Sequence, residues 1–150
     1  MRLVSIAFDN NGKIPARFTC DGEGVVPPLT WSEPPAETRS FALICSDADA
    51  PSGVWYHWAA FDIPVAWRDL AASGRDRGSP MREAINDFEK PGYGGPCPPR
   101  GHGTHHYSFT LYALNIEHLG ASANAHCRDI EKMAKEHAVG SAKLTGLYAR

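Results

Sequence analysis

Between Pro91 and Gly101 the chain reads Pro-Gly-Tyr-Gly-Gly-Pro-Cys-Pro-Pro-Arg-Gly, with eight Gly or Pro in eleven positions. Proline fixes φ and has no N–H to donate, whereas glycine accepts positive φ and lets other backbone come close. Neither a helix nor a sheet ladder can run through such a segment, so it forms a rigid, irregular loop. Its few remaining N–H groups can converge on an anion, as backbone nests do. Turn residues punctuate the rest of the chain as well, with 12 Pro and 14 Gly among 150 residues. That density favours many strands and turns over a helical bundle.

Three segments carry strand signatures. Residues Ser40 to Ser46 are apolar at Phe41, Leu43 and Cys45 but also at Ala42 and Ile44, the pattern of a strand covered on both faces. From Val54 to Ile63, strict alternation puts Trp55, His57, Ala59 and Phe61 on one face and Tyr56, Trp58, Ala60 and Asp62 on the other. From His105 to Leu114 it groups His105, Tyr107, Phe109, Leu111 and Ala113. The aromatic and β-branched content fits all three, and the tail Ala142–Tyr148 reads as a late strand.

One amphipathic helix is expected from about Ser122 to His137. Ile130, Met133, Ala134 and His137 form its apolar stripe, and Glu131, Lys132, Lys135 and Glu136 flank it. Ser122 or Asn124 can cap its start, and Gly140 can take the left-handed position past its end. A shorter helix is allowed around Ala66–Ser73, just after Pro64. Residues 1–150 thus read as a single, mainly β domain with one or two peripheral α-helices, in keeping with the length.

The charge balance, 15 Lys plus Arg against 17 Asp plus Glu, gives a net −2 and no global field to attract nucleic acid. No apolar run reaches the roughly 18 residues of a membrane span. The N-terminal stretch shows neither the apolar segment nor the cleavage site of a secretory signal, so a cytoplasmic location is expected unless a leader has been removed. Cys20, Cys45, Cys97 and Cys127 lie far apart without C-x-x-C spacing, and reduced thiols are expected in a domain large enough to fold without bridges.

The residues able to do chemistry gather at predicted strand ends. Asp47 and Asp49 share the parity of Phe41, Leu43 and Cys45 where the first strand stops. His57 has Trp55 as its same-face neighbour, and His105 and Tyr107 face one way directly after the Gly/Pro loop, with His106 turned away. Singly, each has an ordinary structural explanation: a packed histidine, or an Asp-x-Asp-x-Pro turn. Together they suggest a small concave site.

Three ordered motifs carry a resemblance to a known family: Asp47-Ala48-Asp49-Ala50-Pro51 followed by Trp55-Tyr56-His57-Trp58, then Gly94-Gly95-Pro96-Cys97-Pro98-Pro99, and finally His105-His106-Tyr107. In these the chain resembles the phosphatidylethanolamine-binding protein family, in its bacterial and archaeal, Raf-kinase-inhibitor-like branch. The likeness extends from Pro27-Pro28-Leu29-Thr30-Trp31 to Leu144-Thr145-Gly146-Leu147-Tyr148. It implies two packed antiparallel sheets with few helices, and a pocket for phosphate-like anions or phospholipid head groups. The implied pocket wall is Asp47, His57, Gly95, Cys97, Pro98, His105 and Tyr107, supported by Asp49 and Pro51. Cys97 stands where many eukaryotic relatives have glycine, and the family's Ala-Pro bond, here Ala50-Pro51, is often cis.

The leading expectation is therefore non-catalytic anion binding with no cofactor, Asp47 either orienting His57 or accepting the hydroxyl of a monoprotonated phosphate. The resemblance also allows an interaction module that inhibits a kinase or protease, and it favours a homodimer. A metal hydrolase built on His102, His105, His106 and Cys97 is the weakest reading, because Gly101 and Gly103 oppose the helix that such spacing normally uses and strand parity separates His105 from His106. No Gly-x-Ser-x-Gly nucleophile pattern is present.

Overall fold

In the computed structural model, which describes residues 1–70 and 81–150, two sheets and one helix form three layers. The larger sheet is built on two long strands and the one between them: β4 (Ser40–Asp47), β5 (Trp55–Pro64) and β8 (His105–Leu114). It is completed by β9 (Ala138–Tyr148), β2 (Gly12–Lys13) and β7 (Arg82–Glu83), in the order β2-β9-β8-β4-β5-β7. The smaller sheet has the order β1-β3-β6, from β1 (Arg2–Val4), β3 (Leu29–Ser32) and β6 (Asp69–Leu70). Among the described residues all pairings between the named strands are antiparallel except β2 with β9, so the expected pair of antiparallel sheets holds apart from that short parallel edge. Among the described residues no helix is long and apolar enough to cross a membrane.

β4 is buried on both faces because each face meets its own core. Phe41, Leu43 and Cys45 join Leu3, Leu29, Trp31 and Leu70 of the small sheet in one cluster. Ala42 and Ile44 pack on the opposite side with Cys127, Ile130 and Ala134 of the helix α1 (Cys127–His137). α1 begins five residues later than expected. His126 starts it, with its backbone N–H donating to the Asp129 carboxylate at 3.2 Å. Gly140 is not a cap: β9 begins at once with Ala138, and Gly140 pairs with Ala113. Glu131, expected on the solvent flank, accepts the Tyr56 and Tyr112 hydroxyls at 2.7 and 3.1 Å and ties α1 to the sheet. The expected helix around Ala66–Ser73 gives way to β6 at Asp69–Leu70, and its last three residues lie outside the described ones.

Alternation holds along β8, whose Tyr107, Phe109, Leu111 and Ala113 all enter the core between the sheets. It fails along β5. Cys45 pairs with Trp58 but Ser46 pairs with Tyr56, so His57 is the extra residue of a β-bulge. Across it the faces exchange: Trp58, Ala60 and Ile63 enter the core between the sheets, while Tyr56 before it and Ala59 and Phe61 after it face α1. A second irregularity follows at Asp62, whose φ is +54°.

The cysteines also depart from expectation. Cys20 and Cys97, 77 residues apart, form a disulfide, whereas Cys45 and Cys127 are free and buried. Burial raises both free thiols, Cys127 to about 12, and leaves them inert. Spacing alone could not reveal the bridge, which arises because the Gly/Pro loop folds back onto the turn at Thr19–Cys20. Disulfides are rare in a reducing cytosol, so this one pulls against the cytoplasmic placement read from the N-terminus.

Candidate functional site

The sheet itself brings the site together. Asp47, the last residue of β4, sits directly across from Trp55 on β5 and from Tyr107 on β8. Its side chain joins those of His57, His105 and Tyr107 in a cavity of about 290 Å³, closed by Ala50, Pro51, Ser52, Phe88 and the loop residues Cys97, Pro98 and Pro99. The structure therefore gathers Asp47, Pro51, His57, Cys97, Pro98, His105 and Tyr107 around one space. Gly95 is not on that wall. Its α-carbon backs onto Phe18 and Thr19, where an added Cβ would lie 2.9 Å from the Phe18 carbonyl oxygen, and it borders a neighbouring cavity on the far side of the loop.

Asp47 orients His105, not His57. The buried His105 ring donates from Nδ1 to Asp47 Oδ2 at 2.6 Å, and Asp47 Oδ1 accepts the Asp49 backbone N–H at 2.8 Å. Each carboxylate oxygen thus carries one hydrogen bond from within the protein and keeps a further lone pair. His105 Nε2 lies 2.6 Å from Nδ1 of His102, extending the chain toward the surface. Asp49 turns away because β4 has ended. Its carboxylate, exposed and held below the usual range by His106, accepts the His106 backbone N–H and ring Nδ1–H at 2.8 and 2.7 Å. Among the described residues no group of three or more His, Cys, Asp and Glu side chains is arranged to hold a metal ion.

The bulge fixes His57. Its carbonyl, freed from the ladder, accepts the Gly94 N–H at 2.8 Å, and its Nδ1–H donates to the Gly94 carbonyl at 2.6 Å. Strand and loop are therefore stitched together through one residue. The same bonding takes up three loop N–H groups: Gly92, Gly94 and Gly101 donate to the carbonyls of Ala84, His57 and Arg150. The Ala50–Pro51 bond is trans, unlike the cis bond that the resemblance implied.

Burial, the largest influence on His57, pushes its pKa below the usual histidine value, against the Gly94 carbonyl and the charge of Asp47. The ring is thus neutral near pH 7, with its proton on Nδ1 and a lone pair on Nε2. Burial also raises the Tyr107 pKa, with Asp47 adding to the effect, and keeps the phenol a donor. The Trp55 indole Nε1 is buried without a hydrogen-bond partner, and buried donors in native structures seldom go unpaired. Phe88 packs its ring 5.4 Å from both Trp55 and His57. Nothing in the sequence marks this loop phenylalanine as part of a site.

The depressed His57 pKa has a consequence for stability. Below the ordinary histidine pKa of about 6.5 the unfolded chain binds a proton that the folded ring resists, so stability is complete above that pH and falls as the pH drops toward the lower folded value. One such proton costs at most about 1.4 kcal/mol per pH unit. Thermal midpoints measured from pH 7 down to pH 5 should fall more steeply for the wild type than for His57→Gln. Equal slopes would contradict the assignment.

A sequence model of the family described as phosphatidylethanolamine-binding protein matches residues 4–149. A UPF0098 protein of Methanothermobacter thermautotrophicus is 44% identical, the alignment covering 100% of this chain and 99% of that protein. One from Aquifex aeolicus is 41% identical over 100% of this chain and 89% of its own length. The crystal structure of Escherichia coli YbcL, described as a member of the mammalian PEBP family, matches with a TM-score of 0.93 at 29% identity, covering 99% of this chain and 98% of that one.

Proposed function

The chain belongs to the phosphatidylethanolamine-binding protein family, and from that premise we propose that its cavity binds a phosphate-like anion or phospholipid head group without chemical turnover. One observation carries this reading: His57, His105, Tyr107 and Trp55 line a single cavity with apolar walls. Apolar walls lower the local dielectric and strengthen each polar contact made against them. The phenol of Tyr107 donates to a phosphate oxygen. The lone pair on His57 Nε2 accepts the hydroxyl of a monoprotonated phosphate. Each net hydrogen bond is worth about 1 kcal/mol, or about 1.5–3 kcal/mol when one partner is charged. Association and desolvation consume part of the total, which leaves a free head group binding with Kd on the order of 1 mM, about 4 kcal/mol.

Titration with phosphoethanolamine, followed by the histidine side-chain NMR signals, tests this. The His57 and His105 resonances should shift together and saturate in the millimolar range, with binding tightening as the pH falls and the phosphate gains its proton. Tyr107→Phe keeps the ring but loses the donor and should weaken binding about three- to tenfold. Unmoved His57 and His105 signals at high millimolar ligand would sink the proposal.

A further inference from the structure

The disulfide is chemically lopsided. Cys20 lies exposed in the turn after Thr19, whereas Cys97 is half-buried between the candidate cavity and its neighbour. The guanidinium of Arg150, itself only 19% exposed, reaches the Cys97 sulfur with Nη1 at 3.2 Å. Arg150 forms an ion pair with Asp21, Nε to Oδ1 at 3.3 Å, and Asp21 Oδ2 accepts the Tyr148 hydroxyl at 2.5 Å. One cysteine of the bridge is thus exposed, and the other is half-buried with a cation on its sulfur. Thiol–disulfide exchange needs this division: the attacked sulfur must be reachable, and the departing sulfur leaves faster where its thiolate is stabilised.

We propose that Cys20–Cys97 is a thiol-exchange site, at which a small-molecule thiol attacks Cys20 and Arg150 stabilises Cys97 as the leaving thiolate. In the first step a thiolate RS⁻ forms a bond to Cys20 Sγ, the Cys20–Cys97 bond breaks, and the electron pair leaves on Cys97. A second RS⁻ then attacks the thiol-derived sulfur of the mixed disulfide, releasing Cys20 as thiolate and the oxidised reductant RSSR. The protein gains two electrons and the two thiols lose two. Attack in the opposite sense would require a thiol to reach the half-buried Cys97, whose sulfur already carries the Arg150 guanidinium. The segment that carries Cys97 is also tied to the turn by Cys20 N–H to the Pro96 carbonyl at 3.1 Å and by the Tyr93 hydroxyl to the Phe18 carbonyl at 2.8 Å. These bonds hold the leaving thiolate near Cys20, ready to re-form the bridge. The inference does not depend on what the cavity binds.

The test incubates the folded, oxidised protein with millimolar reduced glutathione, quenches with acid, alkylates free thiols and locates the products by peptide mass spectrometry. The first product should carry glutathione on Cys20 and the alkyl label on Cys97. Exchange should slow about five- to tenfold in Arg150→Gln and stay within about twofold of wild type in Arg150→Lys, which keeps the charge. Melting curves of the oxidised variants confirm that each is folded before its rate is compared. Glutathione found on Cys97, exchange occurring only after unfolding, or equal slowing by Gln and Lys would each overturn the proposal.

Discussion

Replacing both Cys20 and Cys97 by serine should lower global stability by about 4 kcal/mol, the chain-entropy value for a loop of this length. The bridge spans 77 residues, so without it the unfolded ensemble regains most of the freedom that closing so long a loop had removed. For a domain of this size that corresponds to a thermal midpoint lower by roughly 10 °C. The folded arrangement itself should survive, because the Cys20–Pro96 and Tyr93–Phe18 hydrogen bonds still join the turn to the loop. Urea unfolding of the double variant and of wild type reduced with a dithiol should therefore agree with each other and fall below the oxidised protein. A double variant within about 1 kcal/mol of oxidised wild type would refute the prediction. Such agreement would also separate the two roles of the bridge, since exchange at Cys20 is a local event and stability is a property of the whole chain.

The fold was legible where a single physical signal decided the outcome. β8 could be read to the residue because its alternation is unbroken and one face is fully buried. β4 could be read because apolar residues on both parities demand cover on both sides. β5 was misread past His57, since a bulge inserts one residue without any compositional mark and reverses the side chains that follow it, up to the second irregularity at Asp62. That same bulge frees the His57 carbonyl to hold Gly94, so the local failure of the pattern lies at the site, where departures from regular structure are expected. The helix start was placed too early because Ser122 and Asn124 are good caps by type, whereas the tertiary contacts of Cys127 and Ile130 settled where the chain begins to wind.

The candidate site was legible in membership more than in wiring. Asp47, His57, His105 and Tyr107 were brought together by motif and parity, but parity cannot say which histidine a carboxylate faces. Only the cross-strand register, which sets Asp47 beside Tyr107 and leaves His105 two residues along the same face, assigns the bond to His105. Phe88 and His102 were missed as parts of the wiring for a similar reason. Both lie in loops whose path follows from long-range packing, and no local periodicity encodes it.

Asp47→Ala should therefore be the most damaging single change at the site. The carboxylate is only 3% exposed, and His105 only 1%, so removing one partner strands the other. The Nδ1–H of His105 would be left in a dry interior, and the Asp49 N–H would lose its acceptor where the β4–β5 connection begins. Breaking a buried pair from one side costs about 3–5 kcal/mol, or a thermal midpoint lower by about 10 °C in a domain of this size. Asp47→Asn keeps one acceptor oxygen and should lose only about half as much. The decisive comparison is the double variant Asp47→Ala with His105→Leu. If the penalty comes from the orphaned imidazole, supplying an apolar side chain in its place should return part of the loss, so the double variant should melt above Asp47→Ala alone. A double variant that melts lower still would mean that the cavity left by the carboxylate dominates, not the unpaired donor. The same series bears on ligand binding: with His105 no longer oriented, phosphoethanolamine should fail to move the His105 signal in Asp47→Ala while His57, held independently by Gly94, still responds.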